Sequence, residues 1–432
     1  MPREEAGMKK WLLFALAGLA LLAVACGGGE EATPGGTPQT GRPPGWKQVK
    51  TDYGVTDTEI RVGHRNILSG PLAVFAAGAP FLEAYVRKVN AEGGICGRNL
   101  RLIVEDHQGN PARALEVSQK LVDRDQVVAT IGDVGTSAVA ATLDYMNQAK
   151  VPQLFATLGV ERLLDPQKYP YTITFVPTFA SDFRIMARLI NERFPNATVS
   201  ILYQNDAAGQ DGLAGFKQEF RGRIVAEQSY ESTATELTSQ LANLKAANPD
   251  LLVSISLSIT FTQQVFRYMA GTNWQTKVFM AYPNTPSGLA SAVGGGNAEA
   301  GYRQIAGAVL NVYVMEAALH RNTPEWRELE QITQQYGAPP VQPATIYMAS
   351  AAQLSVEALK RACDQGDMTR DGVLRAAQTI RDFHPFSLWP GILVTVAQGD
   401  PYTIETMVPV EVQADGSLRP LSDRPISGEA RR

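Results

Sequence analysis

The chain has 432 residues, 39 Lys and Arg against 43 Asp and Glu, and a formal net charge of −4. Its length predicts more than one packing unit, because a single hydrophobic core rarely grows past ~250–300 residues. The acidic balance argues against DNA or RNA as a partner, since phosphate binding needs a basic surface. A composition of 44% hydrophobic and 19% charged residues argues against wholesale disorder.

The amino terminus is typical of an export signal. The apolar residues 11–25 follow Lys9 and Lys10 and directly precede Cys26. This segment is shorter than the roughly 20 residues that a spanning helix needs, and the small residues before the cysteine resemble the lipobox of a bacterial lipoprotein signal. The resemblance implies cleavage before Cys26 and lipidation of its side chain. A plain signal peptide with an incidental cysteine is the alternative.

A tether is expected after the signal. Residues 27–45 are rich in Gly, Pro and Thr and show no apolar periodicity, so they cannot bury enough surface to fold. We therefore expect residues 1–25 to be removed as a signal peptide and residues 26–52 to form a flexible tether. The globular body would then work outside the cytoplasmic membrane, attached to its outer face.

The body begins with alternating strands and helices. The predicted strands are residues 59–63, 100–105, 127–131, 153–155, 171–175, 198–203, 222–227, 251–255 and 277–280. The predicted helices are residues 80–90, 111–123, 137–148, 182–193, 213–221, 236–246 and 261–270. This alternation favours parallel sheets with helices on both faces. Two such series predict an α/β protein with two similar doubly wound, Rossmann-like lobes.

The order of elements changes past residue 305. A strand at 308–314 is followed by helices at 324–336, 345–362 and 369–380. Irregular strands are predicted at 391–396, 402–409 and 410–418, while the glycines at 294–296 are predicted to form a loop.

Motifs for catalysis are missing from the sequence. It contains no G-x-x-x-x-G-K-[ST] phosphate loop and no G-x-S-x-G nucleophile elbow. The four histidines, His64, His107, His320 and His384, lack zinc-ligand spacing. His107 follows Asp106 at a strand end, where either a catalytic pair or a solvated turn can occur, and we favour the turn. We therefore expect no enzyme activity, no metal and no cofactor.

Three predicted strand ends carry residues suited to a ligand, because open parallel sheets bind ligands beyond the carboxyl ends of their strands. Phe75 follows the first strand, although ordinary packing in the next helix would also explain it. Thr136 and Ser137 begin a helix, where hydroxyls and free N–H groups suit a carboxylate or simply cap the helix. The fourth strand leads into Phe155, Ala156 and Thr157.

Several motifs together resemble a known family. They are S-G-P from residue 69, N-A-E-G-G-I-x-G from 90, D-x-Q-x-N-P-x-x-A from 106 and N-D-x-x-G-Q-D from 205. The chain resembles the type I periplasmic binding proteins over about residues 56–421, in particular the leucine/isoleucine/valine receptors of ABC importers. The resemblance implies two lobes, a three-segment hinge and closure on a ligand, as in a Venus flytrap. It divides the body into lobe 1 (53–178 and 310–404) and lobe 2 (179–309 and 405–425).

The resemblance also implies a set of ligand contacts. Thr136 and Thr157 match residues that hydrogen-bond the ligand carboxylate, with help from Ser137, Ala156 and the backbone near Phe155. Phe75 matches an aromatic residue that covers the ligand side chain. On the second lobe the expected contacts are Ala208, Phe261 and Tyr282.

Two positions depart from the family pattern. Ala208 stands where amino acid receptors have an aromatic residue. The carboxylate that receives the ligand ammonium in those receptors is replaced by Thr260, Phe261 or Thr262, and residues 251–267 contain no acid. An unpaired buried ammonium costs several kcal/mol, so these departures favour an aromatic or aliphatic acid, or an amide, over an α-amino acid. A shifted alignment is the alternative explanation.

The remaining two cysteines are expected to pair. In the family, the helix that ends at Cys363 belongs to the same lobe as Cys96, and cysteines outside the membrane are more often paired than free. We predict a Cys96–Cys363 disulfide.

These expectations combine into one function. The sequence predicts a monomeric, lipid-anchored binding protein that delivers a small molecule to the permease subunits of an ABC importer. A regulatory module of the same fold that acts on a signalling partner is the alternative.

Overall fold

The computed structural model describes residues 42–70 and 73–430. The expected signal peptide, Cys26 and most of the expected tether lie outside these residues. Residues Pro43–Arg432 group as one unit by their contacts. Within the expected tether, the Lys47 amide donates to the Cys96 carbonyl at 3.2 Å and the Lys50 amide to the Gly366 carbonyl at 2.9 Å.

The first sheet has five parallel strands in the order β2-β1-β3-β4-β5. They are β1 Glu59–Asn66, β2 Asn99–Asp106, β3 Ala129–Ile131, β4 Gln153–Ala156 and β5 Thr172–Thr174. Ile60 and Val62 of β1 are completely buried, as are all residues of β3, β4 and β5 to within a few per cent. Burial on both faces explains why β3 and β4 are mainly apolar and do not alternate with polar residues.

The second sheet is ordered β12-β11-β10-β9-β8-β6-β7, and β13 pairs with β11. Its strands are β6 Thr198–Gln204, β7 Arg223–Tyr230, β8 Leu251–Ile255, β9 Lys277–Met280, β10 Val309–Val312, β11 Thr406–Val412, β12 Leu418–Pro420 and β13 Ile426–Ser427. The strands β6–β10 are parallel to one another, while β11 and β12 are added antiparallel. Two separate, mainly parallel sheets confirm the α/β fold class.

Helices connect the strands. They are α1 Ala79–Ala91, α2 Pro111–Gln119, α3 Thr136–Gln148, α4 Phe179–Arg193, α5 Ala207–Glu219, α6 Thr238–Ala246, α7 Ile259–Thr272, α8 Pro286–Val293, α9 Ala298–Ile305, α10 Ala317–His320, α11 Pro324–Gln335, α12 Pro343–Asp364 and α13 Arg370–Ala377. A π-helical turn, Lys120–Arg124, continues α2.

The chain passes between the two sheets three times, in agreement with the expected hinge. The first crossing leads from β5 of the first sheet to α4. The second leads from β10 of the second sheet to α11 and α12, which pack on α1 beside the first sheet. The third leads from residue 402 to β11 of the second sheet. Tyr402 pairs with Thr174 of β5 just before the last crossing. The expected lobe boundary between residues 309 and 310 falls inside β10, whose four residues all belong to the second sheet.

The disulfide prediction is confirmed. Cys96 and Cys363 are bonded; their Cα atoms are 5.8 Å apart, and the two residues are separated by 267 in sequence number. Cys96 comes just before β2, so the bond joins the end of α12 to the amino-terminal edge of the first sheet.

The carboxyl-terminal strand predictions were partly wrong. No regular strand forms at 391–396, where Val394 makes only an isolated bridge to Phe383. Pro390 and Gly391 precede this segment, and Gly391 has a φ of 86°, which interrupts an extended ladder. The predicted strand at 402–409 begins only at Thr406. The predicted loop at 294–296 is confirmed as a turn, but the helices on either side of it, α8 and α9, were not predicted.

Candidate ligand-binding site

The first-sheet loops of the candidate site meet at the carboxyl ends of β3 and β4. Thr136 and Ser137 form the first turn of α3, and Phe155, Ala156 and Thr157 end β4 and begin the loop after it. The Thr157 amide donates to the Asp133 carbonyl at 2.8 Å. The structure therefore places the hydroxyl and backbone groups that were predicted to bind a carboxylate side by side.

Thr157 is oriented by its neighbour across the loop. Its Oγ1 accepts a hydrogen bond from the Gly135 amide at 2.6 Å. Since this bond uses a lone pair of the hydroxyl oxygen, the hydroxyl hydrogen stays available to donate to an anion. Gly135 has a φ of 105°, which L side chains rarely adopt, so a glycine is needed to turn the chain into α3.

The first turn of α3 presents backbone donors. Gly135 is the N-cap residue and supplies no side-chain acceptor, so the amides of Thr136, Ser137 and Ala138 have no hydrogen-bond partner among residues 42–70 and 73–430. Thr136 is half-buried and Ser137 is exposed. Neither hydroxyl caps the helix, so the capping alternative does not apply here. A helix end with free amides favours a negative charge.

Phe155 and Phe75 occupy different environments. Phe155 is completely buried with a φ of 57°, so its ring packs in the core while its backbone lies near the end of β4, beside the loop. Phe75 lies in the 3-10 turn Ala73–Gly78 after β1, and its side chain is 44% exposed. An exposed phenylalanine at a strand end is available to cover a ligand, and ordinary core packing does not describe it.

The second sheet contributes residues from the carboxyl ends of β6, β7, β8 and β9. Phe261, near the start of α7, packs against Tyr230 at the end of β7 with 4.6 Å between ring centroids. The Tyr230 hydroxyl lies 2.9 Å from Ser256 Oγ. Asn284 donates to the Ser256 carbonyl at 2.7 Å, and its own Oδ1 has no partner within the described ranges of the chain. These residues of the second sheet are aromatic or neutral and polar, and the nearby carboxylate of Asp206, which follows β6, caps α5.

Ala208 and Tyr282 join the two sheets. Tyr282 stacks on Phe179 with 5.4 Å between ring centroids, and Ala208 belongs with Val160 and Phe179 to a small apolar cluster. A Cβ atom added to Gly159 would lie 3.2 Å from the Tyr282 hydroxyl. The loop after β4, which carries Thr157, therefore also contacts the second-sheet residues that were predicted to face the ligand.

A buried carboxylate lies beneath Tyr282. Asp182 of α4 is completely buried; its Oδ2 accepts the Tyr282 amide at 3.1 Å and its Oδ1 accepts Asn311 Nδ2 at 2.7 Å. Burial raises the pKa of Asp182 to about 7, although the hydrogen bonds from Asn311 and the Tyr282 amide oppose this shift. Burial and the nearby Tyr313 hydroxyl also raise the pKa of Tyr282 well above its ordinary value, so the phenol is neutral.

A cavity also lies away from these residues. It has a volume of about 600 Å³ and is bounded by residues 161–162 and the helices α4 and α5. None of the predicted ligand contacts lines it. Two of its charged groups are already paired, because Arg184 binds both carboxylate oxygens of Glu161 at 2.9 and 2.6 Å. We therefore place the candidate site at the strand ends, where the amides at the start of α3 and the Thr157 hydroxyl lie together, and not in this cavity.

His107 differs from its expected environment. It lies at the predicted strand-end turn but is 1% exposed, so the turn is not solvated at this residue. Its Nε2 lies 3.0 Å from the Val134 carbonyl, and burial lowers its pKa. Sequence reasoning missed this support of the loop before α3, together with Tyr230 and Ser256. The strand-end positions of all three could have indicated them.

No group of three or more His, Cys, Asp or Glu residues that could hold a metal ion occurs within residues 42–70 and 73–430. In the same part of the chain, no helix is both long enough and apolar enough to span a membrane.

Comparison with known proteins identifies the family. A family model described as periplasmic binding protein matches residues 59–417, most of the chain. The chain belongs to this periplasmic binding protein family. The resemblance seen in the sequence motifs is confirmed, and the fold is that of the type I branched-chain amino acid receptors. Family members are extracytoplasmic solute-binding proteins.

Curated relatives of this periplasmic binding protein are distant. The chain is 24% identical over 222 residues to a Leu/Ile/Val-binding protein homolog from Brucella melitensis, a match that covers 48% of this chain and 55% of the relative. It is 30% identical over 82 residues to an amino acid binding protein from Pseudomonas aeruginosa, which covers 17% and 22% of the two chains. The chain thus spans about half the length, or less, of these relatives.

Solved structures share the fold over nearly their whole length. A branched-chain amino acid ABC transporter protein from Thermus thermophilus, with bound valine, has a TM-score of 0.74 at 18% identity and covers 86% of this chain and 97% of its own. A fatty acid ABC transporter substrate-binding protein from Thermomonospora curvata has a TM-score of 0.72 at 19% identity, covering 88% and 96%. A solute-binding protein from R. palustris in complex with 4-hydroxybenzoate has a TM-score of 0.70 at 18% identity, covering 85% and 97%. One fold therefore serves ligands with and without an ammonium group.

Proposed function

We propose that this protein is the lipid-anchored receptor of an ABC importer, which binds a small ligand with a carboxylate or amide group and delivers it to the permease. The observation that carries the proposal is the convergence of unpartnered donors at the first sheet. Three amides at the start of α3, which have no partner in the described part of the chain, and the Thr157 hydroxyl lie at one strand edge. Such a set suits a carboxylate because the helix dipole and the hydrogen bonds act in the same direction.

The ligand body is proposed to be apolar and to carry no ammonium group. Thr260, at the position expected to pair with an ammonium, has no charge, and the neighbouring Phe261 packs on Tyr230. Asp206, at the end of β6, already accepts the amides of Ala208 and Gly209 as the cap of α5. These residues support an aromatic or aliphatic acid over a branched-chain amino acid.

Binding rather than catalysis follows from the same groups. The proposed site combines hydroxyls, amides and aromatic rings, and these described residues do not pair a nucleophile with an adjacent base. The proposed site of action is the outer face of the cytoplasmic membrane, with the chain anchored through Cys26 and acting as a monomer. Cys26 lies outside the described residues, so its lipidation rests on the sequence motif.

A thermal-shift screen tests the proposal. The purified protein is heated with L-leucine, L-valine, 4-hydroxybenzoate, octanoate or 4-hydroxybenzamide. A compound present at 100 times its Kd should add about 2.7 kcal/mol to the free energy of unfolding. We expect 4-hydroxybenzoate or octanoate to stabilise the protein more than either amino acid does. Strong stabilisation by L-leucine or L-valine would contradict the proposed ligand class, and product formation during incubation would contradict the binding role.

A further inference from the structure

A buried ion pair lies directly beneath the candidate site. Arg65, near the end of β1, and Asp133, just after β3, are each 1% exposed. Arg65 Nη2 donates to Asp133 Oδ2 at 2.5 Å and to Gln153 Oε1 at 2.6 Å, while Nη1 donates to Ser118 Oγ at 2.6 Å and Thr142 Oγ1 at 2.7 Å. The guanidinium therefore links β1 with α2, α3 and β4.

Asp133 completes the network from the other side. Its Oδ1 accepts the Arg65 amide at 2.9 Å, and its Oδ2 accepts the Thr130 hydroxyl at 2.6 Å. Burial acts to raise the pKa of Asp133, but the charge and hydrogen bonds of Arg65 outweigh it, so its pKa lies below the ordinary value. The carboxylate is therefore charged at neutral pH.

The backbone around Asp133 is the same backbone that builds the proposed ligand site. The Asp133 carbonyl accepts the Thr157 amide at 2.8 Å, and the Val134 amide donates to the Arg65 carbonyl at 2.9 Å. The next residue, Gly135, donates to Thr157 Oγ1 at 2.6 Å. The side chains and main chains of Arg65 and Asp133 thus hold the loop before α3 and the loop after β4. These two loops carry the groups that are proposed to donate to the ligand carboxylate.

Stability alone does not explain such a pair. A buried ion pair can often be replaced by apolar residues without loss of stability, because removing two charges from water is costly. Among the residues that the structure describes, the Arg65 Nε atom also has no hydrogen-bond partner. Hydrogen bonds between charged groups have a defined geometry, which contacts between apolar side chains lack. The ion pair can therefore fix the path of the backbone that follows Asp133.

We propose that Arg65 and Asp133 are positioning residues of the ligand site. They hold residues 133–135 so that the free amides of α3 and the Thr157 hydroxyl point at one carboxylate. This inference rests on the proposed function, and it adds two residues that do not touch the ligand but determine how tightly its carboxylate is held.

Two substitutions test the pair without creating a cavity. Asp133→Asn keeps the shape and removes the charge, while Arg65→Lys keeps the charge and loses the planar fork. Arg188→Lys is the matched control, because Arg188 pairs with Glu219 at 2.7 Å between α4 and α5, and their side chains are only 13% and 8% exposed. Near-UV circular dichroism and thermal melting identify variants that remain folded.

The first measurement is hydrogen exchange, which needs no ligand. In Asp133→Asn we expect the amides of Val134, Gly135 and Thr157 to exchange at least tenfold faster than in the wild type, while amides of β6 and β8 are unchanged. In Arg65→Lys the same amides should exchange faster by a smaller factor, and in Arg188→Lys they should not change. Unchanged exchange at these amides in a folded Asp133→Asn variant would overturn the inference.

The second measurement is affinity, by calorimetry with 4-hydroxybenzoate, or with octanoate or L-valine if the wild type binds that compound instead. We expect at least tenfold weaker binding by Asp133→Asn and unchanged binding by Arg188→Lys. Equal affinity of the wild type and Asp133→Asn would overturn the positioning role. If the wild type binds none of the three probes, the proposed ligand chemistry is wrong, and hydrogen exchange still decides whether the pair fixes the loop.

Discussion

At the residue scale, the proposed ligand complex uses the hydroxyl of Thr157 in two interactions. Its oxygen accepts the Gly135 amide, and its hydrogen is free for a ligand oxygen. Replacing Thr157 by Val keeps the shape but removes both. We expect 10- to 100-fold weaker binding of a carboxylate, because a hydrogen bond to a charged group contributes about 1.5–3 kcal/mol. Isothermal titration calorimetry with the compound found in the screen measures this.

The matched control for that change is Thr157→Ser, which retains the hydroxyl and loses only a methyl group. It should bind within a few-fold of the wild type. If Thr157→Val binds as tightly as Thr157→Ser, the hydroxyl does not contact the ligand.

Asp182 gives a pH-dependent prediction. Its pKa is raised from 3.8 to about 7 in the folded protein, so the folded state holds this proton more tightly than the unfolded chain does. The resulting contribution to stability is fully present below about pH 4 and is lost as the pH rises through 7; it amounts to at most about 4 kcal/mol. In Asp182→Asn this dependence of stability on pH is absent. If the Asn311 amide rotates, its Oδ1, which has no partner among the described residues, can accept a hydrogen bond from the new Asn side chain.

The measurement is urea unfolding of the wild type and Asp182→Asn between pH 4 and pH 8. Other buried acids titrate in this range, including Asp211 and Glu316, whose pKa values burial raises to about 6 and about 8. The difference between the two proteins isolates Asp182. We expect the variant to gain stability relative to the wild type as the pH rises, and a constant difference would contradict the raised pKa.

At the element scale, the disulfide fastens α12 to the first sheet. Cys96 and Cys363 are both 6% exposed and close a long loop, which reduces the freedom of the unfolded chain. Replacing both cysteines by Ala should lower the free energy of unfolding by about 2–4 kcal/mol. Ligand affinity should not change, because Cys96 lies at the strand edge opposite the ligand loops.

Denaturant unfolding with and without a reductant measures the effect of the disulfide. The reductant should destabilise the wild type towards the value of the double variant and leave the double variant unaltered. Destabilisation of both proteins to the same extent would show that the reductant acts elsewhere.

Helices and strands were predictable from the sequence where a clear pattern of apolar residues marks the segment. The strands β1 and β2 and the helix α3 follow from apolar runs and periodicity, and they were found within a few residues of their predicted bounds. The start of α5 was missed by six positions, because Asp206 accepts the amides of Ala208 and Gly209 and so begins the helix inside a stretch of Ala and Gly with little apolar pattern.

The candidate site was predictable only in part, for a related reason. Thr136 and Thr157 could be proposed from strand ends and family motifs, but their mutual arrangement depends on Asp133 and Gly135 through contacts between distant segments. A single sequence contains no signal for such contacts. The packing of Ala208 beside Phe179 likewise depends on how two sheets meet.

At the scale of the whole molecule, the two sheets meet at the loop after β4. Glu161 binds Arg184 of α4, and Arg162 donates to Gln210 of α5 at 3.0 Å, so polar contacts continue the apolar ones around Val160. If the protein closes on its ligand by rotating about its three crossings, this loop is the part of the first sheet that must accommodate the motion. Small-angle X-ray scattering should then show a smaller radius of gyration with ligand than without.

Gly159 allows this junction to be tested by adding one methyl group. A Cβ atom there would lie 3.0 Å from the Pro177 carbonyl and 3.2 Å from the Tyr282 hydroxyl, whereas a Cβ atom at Gly271 would meet nothing within 4 Å. Crowding of this kind costs about 1 kcal/mol or more, so Gly159→Ala should bind its ligand several-fold more weakly and show a smaller scattering change. Gly271→Ala should match the wild type in both. Equal affinity and an equal decrease in radius for Gly159→Ala would mean that the two sheets do not move against each other at Tyr282.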